Sequence, residues 1–594
     1  MNEPQFSSPD DAIEQVHKAL DRGELFGALD LARAGLAAGA GSDRLTYLKA
    51  RALADTDDAH GALAALDALE NPASGDEDSL ALRGRILKDI ARNAPQAERK
   101  AAFAAASEVY RTAHERTGGG YFSLINAATT ARLAGLHDEA RIAATQALAD
   151  PKVAARAEFW EAATAVEALA LLDRFAEAGQ ALADACALPD AKPGARASTT
   201  RQMVLLAAET GDPRFATLAD AVRPANVLFY AGHMFHIDPA AETRIAEAIE
   251  RMLDETGCTI AFGGAAAGAD ILFAEAILRR KGELHLVLPF HRDDYLRQSV
   301  APWGDGWGPR FERIMAAARA ISYASAAPYI GDPLQFAFGS QFAMGLTCLR
   351  AEHLCTGAFH AAVAEGTRDR GLAGTQSGIG EWQASGRKVI TIPSGPIDRS
   401  RQRAEPGENT PELERESRSI IFTDYSKFSR IDERALPRFL REVMRRIGDT
   451  LDEHGDDVLC RNTWGDALYA IVRDPAAAAD LALAIQESLT DVDPTDMGLP
   501  ADAGMRIALH HGPVYSGRDP VTGLGTFFGS EVTRTARIEP ITPVGEVYAT
   551  EPLAAMLALT ARDRFTTRYV GLVQLHKDFG AMPMHQVTRS TRSQ

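Results

Sequence analysis

Cysteine is scarce and dispersed: Cys186, Cys258, Cys348, Cys355 and Cys460 are the only five in 594 residues. An odd, scattered set excludes a disulfide framework and suits a reducing compartment. Cys348, His353, Cys355 and His360 lie close in sequence, but their spacing matches no established zinc pattern. No uncharged apolar run reaches the roughly 18 residues that a membrane helix requires. The opening MNEPQFSSPDD has neither a positive n-region nor an apolar h-region, so a secretory signal is not expected. Basic clusters are also missing, and the net charge is −18, so neither nucleic acid nor an acidic lipid surface is an expected partner. The expectation is a soluble, cytoplasmic, multidomain protein.

The length predicts three or four domains, and what is present divides the chain into three parts. Residues 1–215 are rich in Ala and Leu and read as helix almost throughout. Helical hairpins fall at Leu45–Leu69, Tyr121–Leu148 and Phe159–Leu188. Each sets a large residue early in one helix and alanines where the next helix crosses it. This pattern resembles tetratricopeptide repeats, which implies a stacking surface for a protein partner.

Residues 224–395 alternate short apolar strands with helices. Strands are predicted at Asn226–Ala231, Cys258–Gly263, Leu284–Pro289, Ala320–Tyr323, Phe359–Ala364 and Lys388–Pro393. Helices are predicted at Ala240–Glu255 and Ala269–Lys281. This is the pattern of an α/β doubly wound parallel sheet, whose ligands bind beyond the carboxyl ends of the strands. Two Gly-rich turns are expected there, GGAAAGAD (Gly263–Asp270) and GTQSGIGEW (Gly374–Trp382). The first follows a strand and opens a helix, so its N–H groups and the helix dipole suit a phosphate. With AGH (Ala231–His233), these motifs resemble the SLOG group of Rossmann-like domains. The resemblance implies a nucleotide-like ligand at Gly232, Gly263, Gly264, Gly268, Asp270, Gly374, Thr375 and Gly378. The phosphoribohydrolase turn of related families is reduced here to GTQSGIGE, which argues against hydrolysis by Glu381.

Residues 396–417 have little to bury and read as an exposed linker. Residues 418–590 mix strand and helix again. Within them, SIIFTDYSKFS (Ser419–Ser429) and RNTWGDAL (Arg461–Leu468) each end an apolar run near one carboxylate, Asp424 and Asp466. Two carboxylates on neighbouring strands are a site for a pair of hard divalent cations. GSEVTRTARIEP (Gly529–Pro540) adds Arg537, a candidate for phosphate contact.

These segments resemble the catalytic domain of class III adenylate and guanylate cyclases, an α+β ferredoxin-like fold. MRIALHHGPVYSG, GEVYATE and LHKDFG resemble its further strands, in the same order. The resemblance implies Mg²⁺ or Mn²⁺, two per site, on Asp424 and Asp466. It implies Arg537 and Thr533 at the reacting phosphate and ribose, and Lys577 on the triphosphate. Backbone groups of Lys427, Phe428 and Ser429 would line the β- and γ-phosphates, and Asn462 and Thr526 would face the base. Two positions depart from the family: Asn462 replaces its purine-selecting Lys, and Thr533 its transition-state Asn. The family builds its site between two such domains, which implies a homodimer. The substrate would be a nucleoside triphosphate, ATP before others. A catalytically silent nucleotide-binding module and nucleotide or NAD processing by the middle domain stay open as alternatives.

Overall fold

In a computed structural model the described residues are 6–21, 24–38, 43–56, 58–69, 77–117, 120–325, 327–365, 374–400, 413–575 and 580–590. The chain forms two compact units: residues 1–224 with 352–356, and residues 225–351 with 357–594. Among the described residues, no helix is long and apolar enough to cross a membrane.

The first unit is helical. The three hairpins expected from sequence are present as Asp43–Asp55 with Ala59–Asp67, Tyr121–Ala134 with His137–Ala149, and Phe159–Leu171 with Phe175–Cys186. Local chemistry sets their ends. Asp58 caps its helix by accepting the Gly61 N–H at 2.9 Å, and Gly135 ends another at φ 84°, a conformation costly for any residue with a Cβ. Ala128, Ala144 and Ala147 are fully buried at crossings with larger residues such as Phe159, Val166 and Leu169, so the helices pack closely.

The second unit holds two sheets. The first contains β1 (Val227–Gly232), β2 (Ile260–Gly263), β3 (Glu283–Leu288), β4 (Ala320–Tyr323), β5 (Ala358–Ala364) and β6 (Val389–Pro393). All pairs are parallel, in the order β4-β3-β2-β1-β5-β6, so the winding reverses between β1 and β5. Alternate residues of β1 serve opposite faces. Tyr230 stacks on Phe273 at 5.2 Å, whereas Phe229 packs on His360 at 4.6 Å and Trp382 at 5.9 Å. Both faces are therefore apolar, as parallel strands require.

The second sheet contains β7 (Glu414–Tyr425), β8 (Val458–Trp464), β9 (Ala467–Val472), β10 (Met505–Arg518), β11 (Gly525–Phe528), β12 (Val547–Thr550), β13 (Phe565–Gln574) and β14 (Ala581–Arg589). Its order is β13-β14-β12-β10-β7-β9-β8, with β11 folded back on β10. Ile421, Ile507 and Leu509 point into a core with Val443, Ile447, Leu481, Ile485 and Leu557 from three helices. Ile420, Ile471 and Val514 form a second apolar layer on the other face.

The two sheets are joined by partly buried contacts. Arg387 donates to the carbonyls of Leu559 and Ala558 at 2.6 and 2.9 Å, and Arg415 pairs with Asp332 at 3.0 Å.

Two expectations are corrected. GTQSGIGEW is not a turn: after Gly374, residues Thr375–Ala384 are helical, because Ile379 and Trp382, three apart, bury one stripe and outweigh the glycines. Of LHKDFG, expected as a strand, residues 576–579 lie outside the described residues. The strand β7 begins at Glu414, inside the expected linker, because it continues its ladder with β10 out to Glu414 opposite Ser516.

Candidate functional site

The site lies at one end of the central strands of the second sheet. Asp424 is the penultimate residue of β7, and Asp466 sits in the turn joining β8 to β9. Gly465, at φ 64°, makes that turn tight enough for the hairpin to return at once. Because β9 pairs with β7, the turn falls beside the end of β7. The Tyr425 N–H donates to Asp466 Oδ2 at 3.3 Å, and the two carboxyl groups lie within hydrogen-bonding reach of each other.

Burial and a neighbouring negative charge both raise the proton affinity of a carboxyl group. Burial, and next the charge of Asp424, push Asp466 up to about 6. Glu539 joins them: burial first, then Asp424, push it up to about 7, against the opposing pull of Arg506. Arg506 pairs with Asp424 and, at 2.7 Å, with Glu539. Two of the three carboxylates, Asp424 and Glu539, thus share one guanidinium. Among the described residues no group of three or more His, Cys, Asp or Glu has metal-holding geometry; the candidate donors are the carboxylates of Asp424 and Asp466. That donor set suits Mg²⁺ or Mn²⁺, which are held by one or two carboxylates while water and substrate phosphates complete the shell.

The other expected residues are placed as follows. Lys427 is left-handed at φ 65° and leads into a single 3₁₀ turn, Phe428–Arg430, while its side chain pairs with Asp502. Asn462 is exposed on β8 opposite Tyr469. Its neighbour Arg461 is tied to Asp452 at 2.6 Å. Thr526 lies on β11 opposite Gly517. Thr533 is exposed on the short helix Ser530–Thr535, its hydroxyl 3.5 Å from the Gly529 carbonyl. Arg537 follows that helix, half-buried. Lys577 lies outside the described residues. The structure brings Asp424 and Asp466 together; the sequence reading missed Arg506 and Glu539, whose RIA and RIE contexts carry no local signal.

In the middle sheet, Gly232, Gly263, Gly264, Gly268 and Asp270 gather at the carboxyl ends of β1 and β2. Their own packing explains the glycines. A Cβ on Gly232 would lie 2.3 Å from Ala269 Cβ, one on Gly263 2.5 Å from the Tyr230 ring, and one on Gly264 2.8 Å from Asp270 Oδ2. Gly268 adopts φ 92° with the Phe235 ring 2.6 Å from where its Cβ would stand. Asp270 accepts the Ala266 N–H at 3.3 Å through Oδ2, and its Oδ1 is buried without a partner. Gly374 precedes the helix that contains Thr375 and Gly378, and Gly378 faces Met344.

Comparison with known proteins assigns both ends of the chain. Residues 10–131 match the family Tetratricopeptide Repeats-Sensor, and residues 412–588 match the Adenylate and Guanylate cyclase catalytic domain. No curated protein sequence matches the chain. Among solved structures, it is similar to the adenylyl cyclase CyaB from P. aeruginosa, with 17% identity and a TM-score of 0.27 over 30% of this chain and 98% of that one. It is also similar to the guanylate cyclase domain of RhGC from Catenaria anguillulae in complex with GTP, with 21% identity and a TM-score of 0.26 over 30% of this chain and 98% of that one. The C-terminal part of this chain, residues 412–588, is an adenylate and guanylate cyclase catalytic domain, which makes the protein an enzyme of the phosphorus–oxygen lyase type.

Proposed function

We propose that the protein converts a nucleoside triphosphate, ATP before others, into a 3′,5′-cyclic nucleotide and pyrophosphate. The observation that carries this reading is the meeting of Asp424 and Asp466 at one strand end, where burial first and the Asp424 charge next raise the proton affinity of Asp466. They would hold Mg²⁺ or Mn²⁺, two per site. Bound there, the cations would acidify the ribose 3′-hydroxyl and brace the α-phosphate. Arg537 would offset charge building on the α-phosphate. Thr533 would contact the ribose, Lys427, Phe428 and Ser429 would cradle the outer phosphates with backbone N–H groups, and Lys577 would assist them. Asn462 and Thr526 would face the base. In this reading two chains pair, and Arg537 of one serves the aspartates of the other.

The middle domain, read as Rossmann-like and related to the SLOG group, would bind a nucleotide-like ligand and regulate the cyclase. The buried, unpartnered Oδ1 of Asp270 supports a polar ligand there. The helical repeats would engage a protein partner, and the protein would work in the cytoplasm.

The test is incubation of the purified chain with each triphosphate and Mn²⁺, with products separated by chromatography, beside Asp466→Ala. Cyclic product from the native chain alone supports the reading. Product that persists undiminished in Asp466→Ala removes it. The exposed positions of Thr533 and Asn462, where the family has longer side chains, favour a second reading: a cyclase fold that binds nucleotide without turnover. Tight nucleotide binding with no cyclic product from any triphosphate would select it.

A further inference from the structure

The helical unit contains a cavity of about 290 Å³ whose wall includes Arg51, Asp55, Arg85, Trp160, Lys192 and Arg201. Every lining residue belongs to that unit, including His353 and Leu354 of the segment grouped with it. We infer that this cavity is a binding site for a small phosphate-bearing anion with a planar group. The site is independent of the proposed cyclase centre.

Charge balance carries the inference. Arg85 is paired with Asp55 at 2.6 Å and stands 3.8 Å from Asp89, and Asp55 is almost fully shielded. Burial works against the Asp55 charge, yet Arg85, Arg51 and Arg201 together hold its carboxyl below the ordinary range, so three guanidinium groups converge on one carboxylate. The second acid of the wall, Asp190, is committed elsewhere, accepting the Phe159 N–H at 2.9 Å. Asp21 is exposed at the edge. Arg201 is fixed in place by donating to the His353 carbonyl at 2.8 Å. Arg51 makes no hydrogen bond among the described residues, and Lys192 is exposed at the rim. Cations gathered with too few counter-charges cost stability unless an anion joins them. Guanidinium pairs are suited to phosphate because their forked N–H groups match its oxygens.

A helical repeat held together by Ala and Leu has no structural need for such a wall. The polar character also continues inward. One turn along from Arg85, Lys88 is 8% exposed and donates to Asn126 and Gln202 at 3.3 and 2.9 Å, and the Tyr110 hydroxyl is buried without a partner. Trp160 lies on the wall with 41% of its surface exposed, a flat apolar face beside the cations. That pairing fits a phosphate joined to a planar ring. The volume is at the small end for ligand cavities, roughly 300–1,000 Å³, which favours a compact metabolite over a peptide.

The test is calorimetric titration of the full chain with pyrophosphate and with AMP, in EDTA so that no metal supports the cyclase centre. Each probe is expected to show one binding event per chain that responds to Arg51→Gln. Arg51→Gln, which breaks no hydrogen bond among the described residues, should weaken both at least tenfold with unchanged thermal unfolding. Trp160→Ala should weaken AMP several-fold and leave pyrophosphate unaltered. Absence of binding by both probes, or binding indifferent to Arg51→Gln, overturns the site. Binding of AMP that is indifferent to Trp160→Ala overturns the planar subsite.

Discussion

Arg506 stands directly across from Asp424 in the β7–β10 ladder, and its guanidinium donates to the Asp424 carboxylate. Directly opposed charges on an antiparallel pair attract at short range. Because the same guanidinium also pairs with Glu539, it competes with any cation for an acidic cluster. Arg506→Gln is therefore expected to tighten Mn²⁺ binding by about threefold to tenfold, the value of a partly exposed ion pair. Calorimetric titration of both proteins with Mn²⁺ in the absence of nucleotide measures it. Weaker binding in the variant would show instead that Arg506 organises the site.

Asp270 predicts a pH dependence. Burial pushes its carboxyl up to about 7, against N–H donors from Ala266 and Gly232. Unfolded, the group titrates near 3.9. Between roughly pH 4 and 7 the native state therefore holds a proton that the unfolded state has released. Stability from this group falls as pH rises through that window, by about 4 kcal/mol in all at the upper limit. Asp270→Asn cannot titrate and should lack this component. Urea unfolding of both proteins at pH 4.5 and 7.5 is the check: native protein should lose ground to the variant at the higher pH. Parallel behaviour at the two pH values would refute it.

Much of this architecture was legible where one local rule dominated. Ala320–Tyr323 was read to the residue, because an apolar run between two helices has few alternatives. The other strands of the parallel sheet shifted by one or two residues at an end, as expected when the last hydrogen bond depends on a neighbour. Asp424 and Asp466 stood out because each follows an apolar run. Arg506 and Glu539 did not, since their approach depends on the register of β10 against β7, which no single segment encodes. GTQSGIGEW misled because its glycine density masked the helical spacing of Ile379 and Trp382.

Gly345 tests how the two sheets of the second unit are joined. It lies on the helix Leu334–His353, and a Cβ there would be 2.5 Å from the backbone carbon and oxygen of Ala555, in the helix Glu551–Thr560. Backbone atoms inside a packed helix cannot give way locally. Gly345→Val should destabilise the unit by about 1–3 kcal/mol, the usual range for overpacking. Urea unfolding is the measurement. Gly179→Val, where a Cβ meets nothing within 4 Å, is the control and should leave the urea midpoint unchanged.

Ser325, just after β4, donates to Glu531 at 3.2 Å and so ties the parallel sheet to the helix that bears Thr533 and leads to Arg537. Glu531 is fully buried and also meets His510 at 2.9 Å and Arg534 at 2.8 Å. Burial opposes its charge, but His510 and Arg534 outweigh that and hold it at about 2. Glu531→Gln keeps the shape and removes the charge, leaving Arg534 without its carboxylate. Breaking one partner of a buried pair costs about 3–5 kcal/mol. Ser325→Ala removes a single hydrogen bond and should cost about 1 kcal/mol. If the helix position matters for turnover, Ser325→Ala should lower kcat several-fold while leaving KM and Mn²⁺ affinity unchanged, because the aspartates stand on other strands. A variant with native kcat would mean that the contact between the sheets is structural alone.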